Sequence, residues 1–160
     1  MKKQWIAFIL SCAATQMSFA DASTTPPVPI MQEVSGLYVL SAQGCQDPVT
    51  GQYVGITFGP GNQVSYNVKE VVRQVFTNLE GALEVQHLTL GNTTQINVYM
   101  TRKDDYATML QVWNSLFMNA QAAPTMTVIF VSDLPGKNIV MMDARAGLSV
   151  AHPYNQNALL

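Results

Sequence analysis

The sequence predicts one α+β domain, a mixed sheet with two helices packed on one face. Three observations carry that reading. Two stretches, Asn67 to Val85 and Tyr106 to Phe117, repeat apolar residues at three- and four-residue steps, the period of a helix. Around them lie short runs rich in β-branched and aromatic residues, bounded by Pro, Gly and Asn. Apolar residues make up 48% of the 160 and charged ones only 11%, which suits a single domain with a substantial core.

Residues 1–20 stand apart from the fold. Lys2 and Lys3 precede a short apolar stretch, Trp5 to Ala14, and small Ser18 and Ala20 follow at the positions a signal peptidase reads. This order predicts a signal peptide cleaved after Ala20, and so an exported protein, periplasmic or extracellular. No apolar run reaches the ~18 residues of a membrane span. Residues 21–33 begin polar and Pro-rich and read as an extended lead-in.

The domain then spans residues 34–146. Val34 to Ala42 reads as a strand, Asp47-Pro48-Val49-Thr50-Gly51 as a turn, and Gln52 to Phe58 as the returning strand. Gly59-Pro60-Gly61-Asn62 is a second turn. The first helix carries one apolar stripe, Val68, Val71, Val72, Val75, Phe76, Leu79, Ala82 and Leu83, with Asn67 and Glu70 spaced as a capping box. Thr94 to Met100 alternates as a strand. Asp104 is placed to cap the second helix, whose buried stripe is Tyr106, Met109, Leu110, Trp113 and Phe117. Thr125 to Val131 and Ile139 to Ala146 are strands on either side of Pro135-Gly136. Residues 147–160 lack periodicity and read as a loose tail. With both helices on one face, the other face needs cover, which further copies of the chain would supply.

Few residues announce chemistry. A net charge of −2 with scattered cations argues against a nucleic-acid partner. His87 and His152 have no metal-ligand spacing, and no Gly-rich phosphate loop, nucleophile elbow or paired-His helix is present. Cys12 leaves with the leader. Cys45, then alone, makes neither an internal disulfide nor a zinc site and reads as a partly buried strand-end residue. Asp104 and Asp105 are explained by a helix start. Asp143 and Arg145, two apart on a strand, share a face, and a surface or interface ion pair is the plainer reading.

Several short motifs recur in one register. They are Ser41-Ala42-Gln43, Asp47-Pro48-Val49-Thr50-Gly51, Arg73-Gln74 with Asn78-Leu79, Val98-Tyr99-Met100 leading to Asp105-Tyr106-Ala107, and Pro124 with Leu134-Pro135. Together they resemble the RidA family (YjgF, L-PSP) from about Leu37 to Ala146. The resemblance implies a chorismate-mutase-like fold, a homotrimer with ligand clefts between subunits, and hydrolysis of imines or enamines of amino acids without a cofactor. In that chemistry an Arg clamps the substrate carboxylate and a Glu positions water.

This chain departs from that pattern at both charged positions. Met126 stands at the Arg position, Val128 at that of a frequent Cys, and Met141 at the Glu position. Extra residues also lie between Gly51 and Arg73. The expectation is an exported trimer whose cleft, lined by Ser41, Ala42, Gln43, Met126, Val128, Met141 and Arg145, is largely apolar and binds a small molecule without deaminase activity. Two alternatives stand beside it. One is a deaminase of the 2-iminobutanoate and 2-iminopropanoate type using substitute residues such as Arg145 or Asp143. The other is a partner-binding interaction protein. The family's ribonuclease label gains no support from so few cations.

Overall fold

The computed structural model describes residues 31–118 and 123–160, so the predicted leader and most of the lead-in lie outside the described residues. Its elements are β1 (Met31–Val34), β2 (Leu37–Gln43), β3 (Ile56–Phe58), β4 (Val64–Tyr66), α1 (Val68–Glu84), β5 (Thr93–Met100), α2 (Tyr106–Leu116), β6 (Thr125–Phe130) and β7 (Val140–Gly147). No described helix is long and apolar enough to cross a membrane.

Helix α1 forms where its stripe predicts, and the Asn67 side chain accepts from the Glu70 N–H at 3.4 Å. Its buried Val71, Val72, Val75, Phe76, Leu79 and Leu83 face the core. The rings of Phe76, Trp113 and Phe117 lie 4.6 to 6.3 Å apart, centroid to centroid, and knit α1 to the end of α2. The start of α2 differs from expectation. A 3-10 turn, Lys103–Asp105, precedes it, and neither Asp104 nor Asp105 makes a side-chain cap. Buried Asp105 pairs instead with Arg102 at 3.1 Å, and burial raises its carboxyl above the usual range.

Five strands make one sheet in the order β1-β2-β7-β5-β6, and β3 with β4 makes a separate hairpin. Only β5 and β6 run parallel, joined through α2, so the sheet is mixed as predicted. The last strand, β7, lies at the centre. Helix α1 packs on β7 and β2, and α2 packs beside α1.

Three expectations need correction. Val34 to Ala42 is not one strand: Ser35 (φ 53°) and Gly36 (φ 80°) form a two-residue turn, and the sheet starts at Met31, inside the lead-in. Both turn residues take the left-handed conformation that such hairpins need. The returning strand is only Ile56–Phe58, and it pairs with β4, which has no counterpart in the sequence reading.

The tail is not loose. The His152 N–H donates to the Gly91 carbonyl at 2.6 Å and the Asn155 N–H to that of Leu116 at 2.8 Å, while Asn92 Nδ2 donates to the Val150 carbonyl at 2.6 Å. Gln156–Leu159 forms a 3-10 turn that buries Ala158. Tyr154 OH donates to Glu80 Oε1, and the Leu90 N–H donates to Glu80 Oε2 at 3.1 Å. Glu80 is 5% exposed, and its burial pushes the carboxyl upward. At Gly91 an added Cβ would meet the His152 carbonyl oxygen at 2.5 Å, so the tail sits directly on bare backbone. Docking through backbone groups leaves no apolar period to read.

Candidate functional site on the open face of the sheet

Strand pairing assigns every side chain of the sheet to a face. Ile96, Val98 and Met100 of β5 lie beside Ala144, Met142 and Val140 of β7, and all six are buried against the helices. The alternate residues therefore share the other face. There Gln95 lies beside Arg145, Asn97 beside Asp143, and Tyr99 beside Met141.

Asp143 is the centre of this face. Asn97 Nδ2 donates to its Oδ1 at 2.8 Å and Tyr99 OH to its Oδ2 at 2.7 Å. The hydrogen bond to the carboxylate raises the Tyr99 phenol above its ordinary value. Arg145 donates from Nη1 to Gln95 Oε1 at 3.3 Å. The expected pair between Asp143 and Arg145 is replaced by these neutral partners, because β5 supplies a donor and an acceptor at the right rungs.

A bulge completes the site. Leu40 pairs with Ala144 and Gln43 with Met142, which leaves Ser41 and Ala42 together opposite Asp143. Gln43 braces the bulge by donating from Nε2 to the Ser41 carbonyl at 2.9 Å. Of the residues singled out from sequence, Ser41, Ala42, Met141 and Arg145 thus gather around Asp143.

Met126 and Val128 do not join them. In the parallel pairing Met126 lies beside Ile96 and Val128 beside Val98, so both turn toward the helices and pack on the core. Met126, Val128 and Met141, expected to line one cleft, therefore do not share one face of this chain's sheet, for a reason of parity. An ungapped count fixes position along a strand, whereas pairing decides the face. On β6 it is Thr125 and Thr127 that share a face with Arg145 and Asp143.

Asn97, Tyr99 and Gln95 escaped the sequence reading. Their signal was present as polar residues alternating with Ile96, Val98 and Met100, since a solvated or occupied face gives that pattern.

Other motif residues are structural. Asn78 Nδ2 donates to the carbonyls of Gly44 and Gln46, both at 2.8 Å, which ties α1 to the loop after β2. Asp47 Oδ1 accepts from the N–H groups of Val49 and Thr50, and these bonds lower its carboxyl below the usual range. Cys45 is fully rather than partly buried. Its N–H meets Asn138 Oδ1 at 2.9 Å, and burial raises its thiol, the opposite of an activated nucleophile. Among the described residues no three His, Cys, Asp or Glu side chains could hold a metal ion together.

Known proteins share this architecture. A RutC family protein of Pyrococcus abyssi is 25% identical over 83% of this chain and 97% of its own length. The structure of E. coli TdcF with bound serine superposes with a TM-score of 0.64 at 22% identity, covering 77% of this chain and 89% of that one. RidA from an Antarctic Psychrobacter superposes with a TM-score of 0.62 at 20% identity, over 79% and 92% of the two chains. The family model described as endoribonuclease L-PSP matches residues 47–146, from the Asp47 turn to the end of the central strand. The mixed sheet with its two helices is thus that of a known fold, and the chain belongs to the L-PSP family, also called RidA or YjgF.

Proposed function

We propose that this protein is an exported, homotrimeric member of the family that binds a small molecule in clefts between subunits, where the sheet faces away from the helices meet, and lacks imine or enamine deaminase activity. The observation that carries this reading is the composition of that face. Met141 occupies the position where the family's water-positioning Glu is expected, and half-buried Met126 at the Arg position turns toward the helices and packs against the core. A thioether neither pairs a carboxylate nor activates water. Export rests on the leader pattern of residues 1–20, and trimerisation on the family and on the uncovered face. The serine held by the TdcF neighbour supports a ligand of comparable size and polarity.

Freshly generated 2-iminobutanoate should release ammonia no faster with this protein than in buffer. A second reading, hydrolysis by substitute groups, is favoured by one observation: Asp143 lies hydrogen-bonded to Tyr99, with Arg145 on the same face. Rapid ammonia release that Asp143→Asn abolishes would establish that reading and overturn the first.

A further inference from the structure

We infer that residues 148–160 form a detachable strap across the two helices, latched to α1 by the hydrogen bond from Tyr154 to Glu80, which opens while the rest of the domain stays folded. The strap lies on the helical layer, where Gln156–Leu159 packs on α1 and α2, away from the sheet face that further copies cover. It begins where the sheet is complete, since β7 ends at Gly147 and the family match at residue 146.

Its hold on the body is narrow. Hydrogen bonds to main-chain carbonyls join the two, from His152 to Gly91, from Asn155 to Leu116 and Ser115, and from Asn92 to Val150. Of the strap's residues only Ala158 is buried, while Leu148 is 68% exposed. A pocket of about 420 Å³ remains between α1 and the strap's end, lined by Glu80, Glu84, Gln156 and Asn157 among others. A segment held by hydrogen bonds, with little apolar burial beneath it, opens at a lower free energy than the core it rests on.

The latch closes over a carboxyl group. Glu80 Oε1 accepts from Tyr154 OH and Oε2 from the Leu90 N–H. Glu84, one turn further along α1, faces it with like charge, and among the described residues no Lys or Arg lines the pocket. Thr89 stands beside Tyr154 on the turn that follows α1, and His152, the strap's other titratable side chain, belongs to the residue that meets Gly91 through its main chain. Burial therefore favours the neutral acid and raises the Glu80 carboxyl above its ordinary range. Opening returns Glu80 to water, so the closed form holds the proton more tightly. The strap is firmest in acid and loosens as pH climbs through the raised value.

Hydrogen exchange read by mass spectrometry on the full assembled protein, between about pH 4 and about pH 8 and corrected for intrinsic rates, tests this. Peptides covering residues 150–160 should lose protection as pH rises, by up to about tenfold per pH unit, the limit for one proton. Peptides of β5 and β7 should keep theirs. Glu80→Gln should flatten the strap's pH dependence. Tyr154→Phe should lower strap protection about fivefold in acid, with the oligomeric mass and the protection of β7 unchanged. Strap peptides that exchange only together with β7 would overturn the inference. So would a pH dependence that survives in Glu80→Gln, or strap protection in Tyr154→Phe equal to that of the native protein.

Discussion

The two faces of the five-stranded sheet obey different rules. Toward the helices, β5 and β7 present Ile96, Val98, Met100, Val140, Met142, Ala144 and Ala146, all fully buried. On the other side the same strands present Gln95, Asn97, Tyr99, Asp143 and Arg145, linked by side-chain hydrogen bonds across the rungs, with Met141 beside Tyr99. The covered face is specified by volume and apolarity, and the open face by donor and acceptor matching. One stretch of backbone thus holds the core with its even-numbered residues and a polar site with its odd-numbered ones.

The largest effect should come from hollowing the covered side. Phe76 is fully buried where α1 meets Trp113 and Phe117. Phe76→Ala should cost about 3–5 kcal/mol in chemical denaturation. A loss below ~1 kcal/mol would mean that the aromatic cluster is not the keystone of the helical layer.

A matched pair of substitutions sharpens the contrast between faces. Met126→Arg places a guanidinium against the core and should cost roughly 1–3 kcal/mol, whereas Met141→Arg on the open face should change stability by only about 0.5 kcal/mol. Equal costs in the two variants would show that the register of β6 has been assigned to the wrong face.

The smallest effect is a pH dependence on the covered side. Burial raises the Glu80 carboxyl above its ordinary value of 4.5. A raised acid contributes stability that is full below that ordinary value and is lost as pH climbs through the raised one. Thermal unfolding of the native protein should therefore decline, relative to Glu80→Gln, as pH rises above about 4.5. Parallel profiles for the two proteins would contradict the burial of an ionisable Glu80 beneath Tyr154.

These contrasts also explain what the sequence could and could not disclose. Both helices were legible because their stripes repeat over three turns or more, as with Val68 through Leu83. Strands β5 and β7 were legible within about a residue. The β1–β2 hairpin was not, because Ser35-Gly36 interrupts a run whose flanking residues all favour strands. The docked tail had no stripe, only backbone groups that meet Gly91 and Leu116. At the site, the positions along the strands were legible but the faces were not. Nothing in Pro124-Thr125-Met126 records whether Thr125 or Met126 turns outward until β6 is paired with β5. The bulge at Ser41-Ala42 was hidden for the same reason, since it exists only in relation to Asp143 on a distant strand.

The central place of β7 has a consequence for the growing chain. Leu37 pairs with Gly147, and β5 also waits for β7 to reach its other edge. A nascent polypeptide that ends before Val140 has β1 with β2, and β5 with β6, as separate fragments with bare edges. Its sheet closes only once Val140–Gly147 has been made, as expected of a topology rich in distant pairings. A premature stop even a few codons ahead of β7 therefore yields not a shortened domain but two half-sheets without a shared centre.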